Sequence, residues 1–123
     1  MRRPSKPPGV TLYGIANCDT VKKARAFLAE REVACEFHDF KKLGVAAQLL
    51  ERWIAALGWQ PLLNRQGSTW RKLDEAEQQG VVDARIAIEL MRSAPSVIKR
   101  PVVEWPDGQT TVGFDAQAWS RRV

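Results

Sequence analysis

Histidine and cysteine are scarce in this chain, which has one histidine and two cysteines among 123 residues. Two cysteines are too few for a disulfide framework. A single histidine, His38, offers no Cys/His spacing for a zinc site, so we expect a structural or surface role for it and no bound metal. No apolar run approaches the ~18 residues that span a bilayer, and residues 1–9 lack the apolar centre of a signal peptide. We expect a cytoplasmic protein without a membrane partner.

An excess of basic charge is also lacking once the two ends of the chain are set aside. The net charge is +5, but five of the 19 basic residues lie in the terminal segments, and the remainder equals the 14 acidic residues. A neutral body is not typical of a protein that binds a phosphate backbone, so we expect no nucleic-acid partner. The five terminal residues are Arg2, Arg3, Lys6, Arg121 and Arg122.

The order of apolar patterns predicts one α/β domain with a mixed sheet. A strand, a helix and a strand fall at residues 10–15, 19–31 and 34–40, which is typical of a βαβ unit. Helical patterns then extend from about 45 to 93, including one around Arg71 to Gln79. Two strands at 102–105 and 109–112 flank a Pro-Asp-Gly turn, and Asp115 caps a last helix. We predict a tail at residues 1–9 and a single, monomeric domain at 10–123.

Cys18 stands out because it lies where the first strand gives way to the first helix. Unpaired N–H groups and the positive end of the helix dipole stabilise a thiolate there, and such cysteines are reactive at neutral pH. Lys22, four residues later, is predicted to add a cation, whereas Asp19 would oppose ionisation. Asn17 is predicted to cap the helix. Cys35, in a strand pattern, is expected to pack in the core.

Three stretches carry a family resemblance: YGIANCDTVKKA at 13–24, NRQGSTWR at 64–71 and PSVIKRPV at 95–102. Together they resemble the arsenate-reductase-like (ArsC) superfamily, in particular its YffB branch, with the Spx regulators as a neighbouring branch. The resemblance implies a thioredoxin-like sheet with the helical region inserted between its two halves. It also implies that Pro101 is a cis-proline beside the reactive thiol.

The resemblance further implies site roles. Cys18 matches the nucleophile, and Arg65 and Arg100 match arginines that bind an oxyanion, a task suited to the planar guanidinium. Lys22, Asn17 and Pro101 complete the predicted site for a thiol or oxyanion substrate. Where arsenate reductases have a third arginine this chain has Gly113-Phe114, and where Spx proteins often have a second cysteine it has Val21.

The leading hypothesis is therefore a thiol-dependent reductase with no bound cofactor and with glutathione as co-substrate. Glutaredoxin is a further candidate partner. An Spx-like adaptor that docks on the RNA polymerase alpha subunit is the alternative, and an arsenate reductase is a third. Lys99 and Arg71 are expected to be surface charges. The tryptophans Trp53, Trp70 and Trp105 are expected to pack in or beside the core rather than stack on bases.

Overall fold

The structure, a computed structural model, describes residues 9–123, so the tail predicted at residues 1–9 lies outside the described part except for Gly9. Its centre is a four-stranded sheet in the order β2-β1-β3-β4. Strand β1 runs parallel to β2 and antiparallel to β3, and β3 runs antiparallel to β4. The predicted mixed, thioredoxin-like sheet is confirmed. The strands are β1 (Val10–Gly14), β2 (Cys35–Asp39), β3 (Val102–Glu104) and β4 (Thr110–Val112).

Most of the helices in the described part lie between β2 and β3, where the helical region is predicted. Gly58 ends the longest of these with φ 84°, a left-handed conformation that favours glycine. Single turns of 3₁₀-helix occur at Gln60–Leu62 and Pro95–Val97. The α-helices are α1 (Asp19–Glu30), α2 (Phe40–Leu43), α3 (Ala47–Leu57), α4 (Ser68–Arg71), α5 (Glu75–Gln79), α6 (Ala84–Ser93) and α7 (Ala116–Ser120).

The sheet separates two hydrophobic clusters because successive side chains of a strand face opposite ways. Leu12 and Val103 pack with α1 and α7, in a cluster that includes Trp105 and Trp119. Their sequence neighbours Tyr13 and Val102 pack on the other face, against the helical region. Trp53 and Trp70 are buried in that second cluster. The predicted packing role of these tryptophans is confirmed.

Two predicted elements differ from the structure. The helix predicted around Arg71 to Gln79 is interrupted, because α4 ends at Arg71 and Asp74 starts a new helix as its N-cap. The Asp74 carboxylate accepts a hydrogen bond from the Glu77 N–H at 2.8 Å, and Glu77 accepts one from the Asp74 N–H at 3.1 Å. This reciprocal capping box stabilises a helix start rather than a helix interior.

Strand β2 ends before Phe40, which the sequence analysis had included in the strand. The Asp39 carboxylate caps α2 by accepting a hydrogen bond from Lys41 N–H at 3.0 Å, and Phe40 turns into the core. The predicted packing role of Cys35 is wrong, since Cys35 is exposed. Cys35 begins β2, which is an edge strand of the described sheet and pairs with β1. Among residues 9–123, no helix is long and apolar enough to cross a membrane.

Candidate active site

The connection from β1 to α1 fixes the position of Cys18. Strand β1 ends at Gly14, where a Cβ atom would lie 2.7 Å from a methyl group of Val21. The end of the strand therefore passes directly against the first turn of α1, which only glycine permits without a shift. Cys18 follows as the N-cap residue of α1, with extended backbone angles of φ −137° and ψ 123°. Its side chain thus begins at the N-terminus of the helix.

Opposing effects act on the half-buried thiol of Cys18. Burial raises the pKa of Cys18, while hydrogen bonds from the backbone N–H groups of Val21 and Thr20 and from the guanidinium of Arg100 lower it. The positive charge of Arg100 lowers the pKa further, and the combined result is a pKa below the ordinary value of a thiol. These are the interactions that favour a thiolate at a helix N-terminus beside a cation.

Arg100 is held in place by the loop that precedes it. Its Nη1 donates hydrogen bonds to the carbonyl oxygens of Ser96 and Ile98, at 2.8 and 3.3 Å. Its Nε is buried and has no hydrogen-bond partner within residues 9–123. The peptide bond from Arg100 to Pro101 is cis, as predicted. The guanidinium therefore presents donors from a fixed position.

A short pairing of two distant segments brings Asn64 to the same place. The Asn64 N–H donates to the Val97 carbonyl at 2.8 Å, and the Lys99 N–H donates to the Leu62 carbonyl at 2.7 Å. Antiparallel hydrogen bonds of this kind fix the register of the two segments. Asn64 is consequently held next to the residues that lead into β3.

These segments enclose one side of an open cleft with a volume of about 440 Å³. That volume is within the usual range of small-molecule sites, ~300–1,000 Å³. The end of β4 and the residues after it, Val112, Gly113 and Phe114, complete the lining. The polar side chains that line the cleft are Cys18, Thr20, Asn64, Lys99, Arg100 and Asp115.

Four residues predicted for the site do not line the cleft, and one of them, Pro101, is buried. Arg65 is exposed, and its guanidinium lies 5.6 Å from the ring centroid of Trp70 rather than in the cleft. Lys22 lines a separate cavity together with Cys35. Asn17 is exposed and does not line the cleft, and its predicted capping role is wrong because Cys18 itself holds the N-cap position.

Four polar residues that line the cleft are not among the predicted site residues: Thr20, Asn64, Lys99 and Asp115. Lys99 was expected to be a surface charge, yet it lies directly before Arg100 and lines the cleft. Asp115 was identified solely as a helix cap, a role confirmed by its hydrogen bonds from Gln117 and Ala118. Thr20, Asn64 and Lys99 lie within the three quoted motifs, and this position is the signal that identifies them. Asp115 lies outside the motifs.

His38 lies outside the cleft, in the structural role predicted for it. Its Nε2 is 3.0 Å from the carbonyl oxygen of Gly44, and its ring centroid is 5.1 Å from that of Tyr13. No group of three His, Cys, Asp or Glu side chains within residues 9–123 is arranged to hold a metal ion. The residues that line the cleft offer the chemistry of a thiol among hydrogen-bond donors and charges.

Comparison with known proteins places the chain in a family. The ArsC family model matches residues 13–121. An uncharacterized protein of Haemophilus influenzae is 36% identical over 110 residues, which cover 89% of this chain and 95% of that protein. The match extends over nearly the whole described domain, including every segment that contributes to the cleft.

Solved structures give the same result. A YffB protein is 52% identical with a TM-score of 0.84, covering 91% of this chain and 96% of its own. An arsenate reductase (ArsC) related protein from Brucella melitensis is 45% identical with a TM-score of 0.75, covering 97% of each chain. An arsenate reductase from Vibrio cholerae, 17% identical with a TM-score of 0.79 over 94% of this chain and 98% of its own, shares the fold. This chain belongs to the ArsC family.

Proposed function

We propose that the protein is a thiol-dependent reductase in which Cys18 is the nucleophile and glutathione is the co-substrate. The observation that carries the proposal is the environment of Cys18. A cysteine at the N-cap of α1, with its pKa lowered by backbone N–H groups and by Arg100, faces an open cleft. Such a thiolate is a nucleophile at neutral pH. Membership in the ArsC family supports reductase chemistry at this position.

The first step is attack of the Cys18 thiolate on one sulfur of a disulfide substrate. A bond forms between the two sulfurs, the substrate disulfide breaks, and its other half leaves as a thiolate. The Arg100 guanidinium can donate hydrogen bonds to a carboxylate of the substrate, or to the returning Cys18 thiolate. The enzyme is then a mixed disulfide and the departing thiol is reduced.

A thiol from solution must complete the cycle. Val21 stands where a second cysteine three residues after Cys18 would be, and Cys35 lines a different cavity. In the second step the thiolate of glutathione attacks the substrate-derived sulfur and releases the Cys18 thiolate, and a second glutathione then frees the substrate thiol as oxidised glutathione forms. We place this chemistry in the cytoplasm, where thiols are kept reduced. Both cysteines of the protein are free thiols.

Arsenate is a weaker candidate substrate than a disulfide. The resemblance places a third arginine of arsenate reductases where this chain has Gly113-Phe114, and Phe114 lines the cleft. A phenyl ring provides no hydrogen bond to an oxyanion. Arsenate would therefore meet fewer donors here than the family's arsenate site offers.

The test of an activated nucleophile is the rate of alkylation by iodoacetamide as a function of pH. The Cys35→Ser variant leaves Cys18 as the single thiol of the chain. We expect the rate to reach half of its maximum below pH ~8.5, the ordinary pKa of a free thiol. The variant that also carries Cys18→Ser is the control and should not react. A midpoint at or above the free-thiol value would overturn the proposal.

The role of glutathione is tested with oxidised glutathione and intact-mass measurement. We expect one glutathione to be added to the Cys35→Ser protein and reduced glutathione to remove it. No adduct, or one that reduced glutathione does not release, would exclude glutathione as the co-substrate. A stable complex with the RNA polymerase alpha subunit, together with absence of turnover, would instead support the adaptor function.

A further inference from the structure

Strand β2 has backbone hydrogen-bonding groups that no other strand of the described sheet uses. It is an edge strand, and β1 is its neighbour. The Val10 N–H donates to the Ala34 carbonyl at 2.8 Å, and Val10 pairs with Cys35 in the parallel register. Because successive residues of a strand direct these groups to alternate sides, the N–H and C=O groups of Cys35 and Phe37 point away from β1. No turn or loop within residues 9–123 forms a backbone hydrogen bond with them.

The side chains of the same two residues lie on the face of the sheet that packs against α1. Cys35 and Phe37 pair with Val10 and Leu12, which belong to the cluster that includes α1. Phe37 packs against this cluster, and Cys35 lines a cavity of about 490 Å³ between α1 and β2. A strand added to the edge of β2 would direct every second side chain to this face. We call this cavity the α1–β2 groove; its lining residues are Lys22, Arg25, Ala26, Ala29, Val33 and Cys35.

The α1–β2 groove combines positive charge with small apolar side chains. Lys22 and Arg25 form no ion pair with any residue in the described part of the chain, and no acidic side chain lines the groove. The Arg25 guanidinium lies 4.2 Å from the ring centroid of Phe37, so one cation is beside the open edge of β2. A complementary ligand therefore carries carboxylates together with an apolar side chain.

We propose that the edge of β2 and the α1–β2 groove form a docking site for an extended segment of a partner protein, which adds a strand to β2 and directs acidic and apolar side chains toward α1. Hydrogen bonds to the backbone of Cys35 and Phe37 supply affinity, and the groove selects the side chains. Residues 1–8 of the chain itself are an unfavourable occupant, because they include three basic side chains and no acidic one.

The test is an NMR titration of the isotope-labelled full-length protein with a peptide probe, acetyl-Thr-Glu-Thr-Val-Thr-Glu-Thr-amide. In a strand, its glutamates and valine share one face. The sequence reads the same in both directions, so a parallel and an antiparallel strand present the same side chains. We expect the amide signals of Cys35 and Phe37 to shift and their hydrogen exchange to slow. The same peptide with lysine in place of glutamate should bind several-fold more weakly.

Charge variants test the role of the groove. Lys22→Gln and Arg25→Gln should each raise the Kd of the acidic peptide about two- to five-fold, as for the loss of one exposed ion pair. The matched control is Lys23→Gln, which removes the same charge from an exposed position of α1 that does not line the groove. If Lys22→Gln and Arg25→Gln change the Kd no more than Lys23→Gln does, the role given to the groove is overturned.

A proline variant tests the role of the backbone. Cys35→Pro deletes one N–H that points away from β1, and an edge strand tolerates proline at such a position. We expect it to raise the Kd about two- to ten-fold, which corresponds to the loss of one hydrogen bond. Cys35→Ser keeps the N–H and should bind the peptide as the wild type does. Equal affinities of the two variants would overturn strand addition.

Three further outcomes would overturn the proposal. Equal affinities for the acidic and the basic peptide would exclude selection by charge. The same shifts with N-acetylglutamate amide, at an equal concentration of carboxylate, would show a site for small anions. Protection of the Cys35 and Phe37 amides in a concentration-dependent dimer without peptide would assign the edge to a second copy of the chain. None of these measurements depends on the reactivity of Cys18, so they leave the proposed function untouched.

Discussion

The charged side chains at the two ends of strand β3 differ in how far their hydrogen-bonding groups are satisfied within the protein. Glu104, the last residue of the strand, accepts hydrogen bonds from Tyr13, from Arg52 and from Trp53 at 2.9 to 3.1 Å. These donors come from β1 and α3, so the carboxylate joins the sheet to the helical region. Its hydrogen-bonding capacity is used within the protein.

Arg100, just before the strand, has the contrary arrangement. One nitrogen is held by two backbone carbonyls, and the buried Nε has no partner among residues 9–123. A buried polar atom without a partner costs free energy, and Arg100 lines the same cleft as Cys18. At the far end of β3 the charged side chain is therefore fully used in contacts within the protein, whereas at the near end the guanidinium lines the cleft with one N–H unpaired.

The largest effect should follow from replacing Arg100. Arg100→Met removes the charge and the hydrogen bond that favour the Cys18 thiolate, an interaction of about 1.5–3 kcal/mol. We expect the rate of alkylation of Cys18 at neutral pH to fall about 10-fold or more. The matched control is Arg71→Met, an exposed arginine outside the cleft. Equal rates for the two variants would contradict the role given to Arg100.

A smaller effect, on stability, is expected at the other end of the strand. Glu104→Gln removes the charge that three side chains share, and we expect the free energy of unfolding to fall by about 1–3 kcal/mol in urea titration. The pH midpoint of Cys18 alkylation should not move. The control is Glu89→Gln, which breaks an exposed ion pair with Arg85 and should cost less than ~1 kcal/mol. If Glu104→Gln lowers the free energy of unfolding by no more than Glu89→Gln does, the stabilising role given to Glu104 is contradicted.

The smallest effect concerns one donor to Glu104. Tyr13→Phe removes a single hydrogen bond and should lower the free energy of unfolding by about 0.5–1.5 kcal/mol at neutral pH. Burial, and then the hydrogen bond to Glu104, raise the pKa of Tyr13 well above its ordinary range. The folded protein therefore keeps the proton that the unfolded chain loses near pH ~10. This stabilisation is complete below that pH and is lost as the pH rises through the folded-state pKa.

Ultraviolet absorbance measures this directly, because Tyr13 is the single tyrosine of the sequence. The phenolate signal should stay absent above pH ~10 until the protein unfolds, while urea-unfolded protein should titrate near the ordinary value. The stability difference between the wild type and Tyr13→Phe should shrink over the same alkaline range. Ionisation of Tyr13 near pH ~10 in folded protein would show that the hydrogen bond to Glu104 is not maintained.

Local sequence signals were sufficient for much of the fold and for the nucleophile. The strand-helix junction at Cys18 and the cap at Asp115 depend on residues close in the chain, and both predictions are confirmed. The cis bond before Pro101 followed from the family resemblance. The break before α5 was missed because Asp74 competes with a helical apolar pattern, and its capping hydrogen bonds prevail.

The sequence by itself determined the order of elements, the cysteine at the start of α1 and the family, since these depend on local pattern and motif. The family motifs also indicated Arg100, but only the tertiary structure decided which other polar and charged side chains surround that cysteine. The pairing of residues 62–64 with 97–99 brings in Asn64 and Lys99 and leaves Arg65 over Trp70. A shift of one residue in a strand or helix turns a side chain to a different face. The position of a side chain in the site therefore depends on contacts between segments far apart in the chain.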